Sequence, residues 1–386
     1  MSSPASLADA VAVLEQLYPR RWAGEGDPVG LVVGDPSSEV GSVLFAIDPV
    51  QVVVDEAVER DVDLLVVHHP LLFRPVSSVA ADTPKGRVIH QLITHKIGLY
   101  VAHTNADSPP HGVSESLAAA LGLQDLRALR PDPADPLDKI VVFAPREDAE
   151  ELVEVLSKAG AGAIGDYDWC AWVSEGLGRF RPGAGADPAI GQVGELEVVE
   201  ETRIEMVLAR DRRDEVVAAL RAHHPYEEPA FDLLELATWV GERGAGRVGT
   251  LLEPKTLRDF ADQVADSLPD TAVGARVSGD LDRQVQTVAV AGGAGDFLLD
   301  SARGDGIDVY VTSDLRHHPA SEFREHRAAP ALIDIPHWAA EWTWLPVVEQ
   351  QLVAAMAEGG RYLATEVSRL CTDPWNYRST GLPGPR

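Results

Sequence analysis

Short, almost unbroken apolar runs set the rhythm of this chain. Val62 to Val67 (VDLLVV), Gly98 to Ala102, Thr287 to Ala291, Asp308 to Thr312 and Ala331 to Ile335 lack the polar alternation of a half-exposed strand. That pattern predicts parallel strands buried on both faces. Ser42 to Ile47 predicts a further strand, and apolar residues recur at helical spacing over Leu7 to Leu17, Val50 to Arg60, Thr83 to His95, Leu257 to Leu268 and Asp296 to Arg303. Strands alternating with helices in this way predict an α/β fold.

The middle of the chain has a different texture. Near Arg130 the stretch RPDPADPLD can sustain no helix and offers little apolar surface, which predicts a domain junction. From Lys139 the order reads strand (KIVVFA), helix (Glu147 to Lys158), strands through Trp169 to Val173 and Thr202 to Ala209, helix (Arg213 to Ala222) and strand (Ala230 to Leu236). This β-α-β-β-α-β order predicts a ferredoxin-like α+β module. A second, glycine-rich junction from Gly241 to Gly249 returns the chain to α/β texture. The expected organisation is therefore a discontinuous outer α/β domain, residues 1–135 and 243–386, carrying an inserted domain over residues 136–242. The closing TDPWNYRSTGLPGPR shows no periodicity and is expected to be a loose tail outside the fold.

Composition narrows the function. The 386 residues include 61 Asp and Glu against 33 Lys and Arg, a formal charge of −28, so a polyanion is repelled and nucleic-acid binding is not expected. Charges or prolines interrupt every apolar window that could span a membrane. With two cysteines, Cys170 and Cys371, and a start (MSSPASLADAVAVLEQLYPRR) without the pattern of a secretion signal, a cytoplasmic protein is expected. Cys170 lies between aromatic residues in a predicted strand and reads as a buried, inert thiol.

Candidate chemistry sits where the apolar strands stop. VVHHP ends in His68 and His69, YVAHTNAD brings His103 and Asp107, LIDIPHWAAE brings His337 and Glu341, and VTSDLRHHP brings His317 and His318. Ligands of open α/β sheets bind beyond the carboxyl ends of the strands, so these tips assemble one site if the strands are neighbours. Adjacent side chains leaving a strand point to opposite sides, which suits His68 and His69 to two ions rather than one. His337 and Glu341, four residues apart, share a helical face if a helix starts at Pro336. Two ions sharing a carboxylate could polarise a water between them. Each residue has a plainer alternative: a strand-end histidine is often only a hydrogen-bonding residue, and Asp107 can serve as a helix cap or turn former. His223-His224-Pro225-Tyr226-Glu227-Glu228, in the insert, reads mainly as a helix-ending turn, and GGAGD (Gly292 to Asp296) is a turn that could receive phosphate at a helix N-terminus.

At these residues the chain resembles the GTP cyclohydrolase I type 2 homologue family, the Nif-three-like dinuclear-metal proteins, in the variant with an inserted central domain. The likeness spans nearly the whole chain: VGLVVGD at Val29, DLLVVHHPLLF at Asp63, AHTNAD at Ala102, VAVAGGAGD at Val288, DVYVTSDLRHH at Asp308, HWAAE at His337, and KAGAGAIGDYDWC, GLGRFRP and AHHPYEEPAFD in the insert. The resemblance implies that His68, His69, Asp107, His337 and Glu341 ligate two divalent metal ions, of zinc, manganese, iron, cobalt or nickel. It gives His103, Thr104, His317 and His318 a supporting part, and proton handling to His103, His317 and His318. It further implies a homo-oligomer, commonly a hexamer, and a metal-dependent hydrolase acting on a nucleotide or phosphoester. The alternative is a non-enzymatic metal-binding regulator or scaffold whose central domain, like PII and CutA modules, senses a small molecule. Two departures stand out: Ser313 and Pro336 replace glycines of the family pattern, and Pro336 is expected to alter how His337 approaches a metal.

Overall fold

The computed structural model describes residues 4–304 and 306–379. The chain forms two compact units, one of Met1–Asp132 with Glu242–Arg386 and one of Pro133–Gly241.

The larger unit is built on two sheets. In the first, the strands run Ala364–Val367, Ser42–Ala46, Leu64–Val67, Gly98–Val101 and Gly30–Val33, all parallel to their neighbours except the last. The second runs Arg276–Ser278, Ala331–Asp334, Val309–Ser313, Gln284–Ala294, Val240–Thr256 and Gln124–Pro133, with the Ala331, Val309 and Gln284 strands mutually parallel. Strand alternation divides the side chains cleanly. Val43, Phe45, Leu64, Val66, Tyr100, Val288, Val290, Val309, Val311 and Ile333 enter one core common to both sheets, which also receives Leu7–Leu17, Leu257–Ser267 and Leu345–Glu358. The opposite face of the first sheet (Leu44, Leu65, Val67, Leu99) packs on the helices Gln51–Glu59 and Pro84–Thr94. That of the second (Ala289, Tyr310, Leu332) packs on Leu299–Ala302 and His317–Glu325. Burial on both faces is why these strands read as continuous apolar runs.

The two stretches read as domain junctions fall largely within strands, Gln124–Pro133 and Val240–Thr256, and those strands pair with each other. The glycines are the reason. A Cβ on Gly244 would lie 2.4 Å from the Arg130 carbonyl oxygen, and one on Gly249 would lie 2.6 Å from the Leu126 side chain, so only glycine lets the two strands approach this closely. Arg247, which this strand buries, uses all five donors: Nε to Glu115, Nη1 to the carbonyls of Gly244 and Gly246, and Nη2 to those of Ser108 and Pro109. It thereby fixes the backbone immediately after Asp107.

The closing segment is anchored rather than loose. Trp342 Nε1 donates to the Ser368 carbonyl (2.9 Å), Thr372 Oγ1 to Asp48 (2.5 Å) and Arg378 to the Val273 carbonyl (3.0 Å). Its order comes from side-chain bonds to distant residues, which leave no periodic signal; residues 380–386 lie outside those described.

The second unit is an antiparallel sheet in the order Phe231–Glu235, Leu137–Pro145, Glu197–Ala209, Ala171–Phe180. The helices Ala149–Lys158 and Arg213–His223 cover one face through Leu152, Leu156, Val216 and Leu220. Cys170 is half-exposed rather than buried, because Trp169 turns through a positive φ and the strand starts only at Ala171. Among the described residues no helix is long and apolar enough to cross a membrane.

Replacing Arg247 by Met leaves Glu115 and four carbonyls without their donor. The expected loss is about 3 kcal/mol of unfolding free energy in urea titration, and a loss below about 1 kcal/mol contradicts the role given to this side chain.

Candidate metal centre

Five parallel strands from the two sheets deliver their next residues to one place. The Ser42–Ala46 strand leads to Asp48, Leu64–Val67 to His68 and His69, Gly98–Val101 to His103, Val309–Ser313 to Asp314, and Ala331–Asp334 to His337. Alternation continues past the strand end, so His68 follows Leu64 and Val66 toward the shared core and is 1% exposed. Glu341 arrives on the helix His337–Trp342, four residues after His337, and is buried. Pro336 is the N-cap of that helix, with φ −60 and ψ 131, and does not keep His337 away: His337 Nε2 lies 2.8 Å from Glu341 Oε1.

Every imidazole in the cluster is held through Nδ1 by an oxygen. The partner is the Ala102 carbonyl for His68 (2.8 Å), Asp48 for His69 (2.7 Å), Asp27 for His103 (2.9 Å) and Asp314 for His337 (2.7 Å). These partners can only accept, so Nδ1 carries the proton and Nε2 of each neutral ring presents a lone pair. The lone pairs point at one another and at carboxylates. His68 Nε2 is 3.4 Å from Glu341 Oε1 and 3.6 Å from Asp107 Oδ1, and His69 Nε2 is 3.0 Å from Glu341 Oε2. Glu341 Oε2 and Asp107 Oδ1 are buried without a hydrogen-bond donor.

Acceptors gathered around acceptors in a buried site repel unless a cation lies among them. Two groups have the ligand atoms for it: His68, His69 and His103, and His69, His337 and Glu341. Imidazoles and carboxylates suit borderline divalent ions, and a carboxylate or carbonyl behind each Nδ1 is the usual way such a ligand is oriented. Space is reserved as well. Gly293, at φ +71, faces the site, and a Cβ there would lie 2.5 Å from Glu341 Oε1.

Without metal, protons take up the charge. Burial opposes a charged ring, yet the Glu341 carboxylate with Asp48 holds the His69 pKa up at about 10, and Glu341 with Asp314 holds that of His337 at about 9. Burial likewise works against the Glu341 anion, but the imidazoles of His68, His69 and His337 keep its pKa well below the usual range. Burial raises Asp107.

The structure thus brings His68, His69, Asp107, His337 and Glu341 together. His103 sits with them, its ring centroid 5.1 Å from that of His68, and it is a member of one of the two groups that could hold an ion. Thr104 supports Asp27 through its amide and hydroxyl. His317 and His318 are exposed on the helix His317–Glu325, stack edge-on at 5.3 Å, and belong to neither group. Sequence reading did not single out Asp27 or Asp48, and placed Gly293 and Asp314 only within motifs. Asp48 could have been found, since it stands two residues beyond a predicted strand as the histidines do. The Ser313 departure is harmless because Asp314, at φ +56, takes the left-handed position. In the insert, both ring nitrogens of His224 are spent, Nε2 on the Phe143 carbonyl and Nδ1 on the Tyr226 amide, so that run makes a turn. The helix after GGAGD has four residues, too short for an N-terminal anion site.

Fold and cluster together define a mixed α/β protein with histidine and glutamate groups able to hold metal at the carboxyl ends of its strands. The profile of the Duf34/NIF3 (NGG1p interacting factor 3) family matches residues 5–374, and the chain belongs to that family. It is 48% identical over 372 residues to a Mycobacterium tuberculosis protein named GTP cyclohydrolase 1 type 2 homolog, covering 96% of each chain. A Bacillus subtilis protein of the same name is 43% identical over 312 residues, 81% of this chain and 83% of that one. The crystal structure of a Bacillus cereus protein related to NIF3 superposes with a TM-score of 0.82 at 38% identity, covering 98% of this chain and 100% of the other. The family resemblance carried by the motifs is borne out.

Two predictions follow from the geometry. Gly293→Ala forces Glu341 or His337 aside and is expected to reduce copurifying metal, measured by plasma mass spectrometry, at least about tenfold; full occupancy contradicts the packing argument. Because His69 and His337 are held above the ordinary 6.5, their protonated forms stabilise the metal-free fold fully below about pH 6.5, and this is lost as pH rises through about 9 and then 10. Metal-free protein should therefore melt at steadily lower temperature across that window while metal-loaded protein does not. Parallel curves contradict the assignment.

Proposed function

We propose that the chain binds two divalent metal ions, which His68, His69, His103, Asp107, His337 and Glu341 would hold. The observation that carries this is the convergence of the His68, His69 and His337 Nε2 atoms, each on a ring held through Nδ1, upon the Glu341 carboxylate and Asp107 Oδ1. Asp48, Asp27 and Asp314 hold three rings in the tautomer that ligation needs, and the Ala102 carbonyl does so for His68.

The function this supports best is metal-dependent hydrolysis of a nucleotide or phosphoester, as the names of the relatives suggest. When bound, the metal pair supplies an activated water and polarises the group attacked. The chain supplies an entrance: a cavity of about 690 Å³ reaches His69 and His337. No proton-transfer step is assigned to His317 or His318, which stand apart from the ligand groups. We further propose a cytoplasmic homo-oligomer, hexameric as family resemblance implies, for which light scattering on the purified chain is the test.

A non-enzymatic reading has one observation of its own. The unit Pro133–Gly241 holds a cavity of about 250 Å³ between Phe180, Tyr226, Glu201 and Arg179, suited to a small effector. Deleting residues 136–242 discriminates: loss of an effector response with metal binding intact favours the regulator.

Glu341→Gln removes the buried carboxylate charge and is expected to lower bound metal from about two ions per chain to less than one, with hydrolysis of a nucleotide panel lost in parallel. Metal retained at the unmodified level, or turnover that persists in metal-free protein, contradicts the proposal.

A further inference from the structure

Two runs of the inserted unit have no part in the metal centre: GLGRFRP (Gly176 to Pro182) and AHHPYEEPAFD (Ala222 to Asp232). They meet at one cavity. Phe180 and Pro182 from the first run and Tyr226 from the second line the space of about 250 Å³ in the unit Pro133–Gly241. Tyr226 is held all round: its amide donates to His224 Nδ1 (3.0 Å), its ring centroid lies 5.2 Å from that of His224 and 6.0 Å from that of Phe180, and its hydroxyl donates to Glu201 Oε1 (3.1 Å). Burial and the neighbouring Glu201 carboxylate push the phenol up to about 12, so it stays the donor in that bond at neutral pH. Glu201 leans over Gly178, where a Cβ would lie 1.9 Å from its Oε2. Glycine at that strand position gives the carboxylate its place.

Glu201 is the group that asks for a partner. It is half-buried, and among the described residues neither Lys nor Arg pairs with it. A carboxylate withdrawn from water is stabilised by a cation. A metal ion fits poorly here: Glu227 Oε1 is taken by the Asp187 amide (3.1 Å), both His224 nitrogens are spent, and the groups able to hold an ion among the described residues lie elsewhere. An organic cation fits better. The faces of Phe180 and Tyr226 attract positive charge, and Pro182, Pro188 and Ile190 offer apolar contact to whatever carries it. Arg179 and Arg181 border the same cavity, but both are exposed and keep their water, whereas Glu201 has lost much of its own. The volume lies below the roughly 300–1,000 Å³ of pockets for drug-sized ligands, so the occupant is smaller than a nucleotide.

We propose that this cavity binds a small primary amine. The ammonium group lies between Phe180 and Tyr226 and donates to Glu201, and the apolar body rests on Pro182, Pro188 and Ile190. The site deepens the regulatory reading above by naming the class of its effector, and it does not depend on the metal centre.

The test is calorimetric titration of the full-length protein with 3-methylbutylamine and with 3-methylbutanoate, which share one apolar body and differ in the sign of their charge. The amine is expected to bind saturably and the acid not to bind. Glu201→Gln keeps an acceptor for the Tyr226 hydroxyl and removes only the charge, so it is expected to weaken the amine at least about tenfold. Phe180→Leu keeps apolar volume without the ring face, is expected to weaken the amine about threefold or more, and serves on its own should the first variant not fold. An amine that does not bind, an acid that binds as tightly through Arg179 and Arg181, or an unchanged affinity in either folded variant overturns the inference. Amine binding that alters neither metal content nor turnover overturns instead the regulatory reading and leaves the site standing.

Discussion

Lone pairs confronting lone pairs are the constraint around which the larger unit is arranged. An Asp or a backbone carbonyl accepts the Nδ1 hydrogen bond of each histidine, and this leaves the inner nitrogens of His68, His69 and His337 facing oxygens of Glu341 and Asp107, with His103 beside the first two. Such a cluster is unfavourable in a buried site by itself and favourable around cations. Protons on His69 and His337 are the substitute the chain has at hand, which is why their pKa values stand so far above the ordinary range.

The fold provides the rigidity that this constraint demands. Parallel strands buried on both faces hold their tips through two layers of packing, so the histidines leave from fixed points rather than from flexible loops. Arg247 fixes the chain just after Asp107, Gly293 leaves room for the Glu341 carboxylate, and Thr372 braces Asp48 from the closing segment. Residues far apart in sequence thus converge on a few ångströms of space.

What could be read in the sequence followed what the physics makes periodic. Doubly buried strands such as Leu64–Val67 and Val309–Ser313 announce themselves as apolar runs, and the histidines that end them stand out because strand ends are where α/β sheets bind. The strands Gln124–Pro133 and Val240–Thr256 hid behind Pro, Asp and Gly, since their pairing depends on missing side chains rather than apolar ones. The acids behind the imidazoles were less visible still: Asp27 lies in a turn, and Asp48 resembles any residue before a helix until His69 is seen beside it. The supporting part expected of His103 came from the family resemblance, since its motif alone does not fix where its ring points. The closing segment left no trace in hydropathy, for three hydrogen bonds to distant partners hold it.

The most direct test of the central claim is anomalous X-ray diffraction, above the absorption edge, from crystals grown with manganese or zinc. The account predicts two peaks roughly 3.5–4 Å apart, with the Glu341 carboxylate between them and Nε2 of the four histidines turned toward them. A cluster that holds no anomalous scatterer at saturating metal, or one whose imidazoles turn Nδ1 inward, contradicts it.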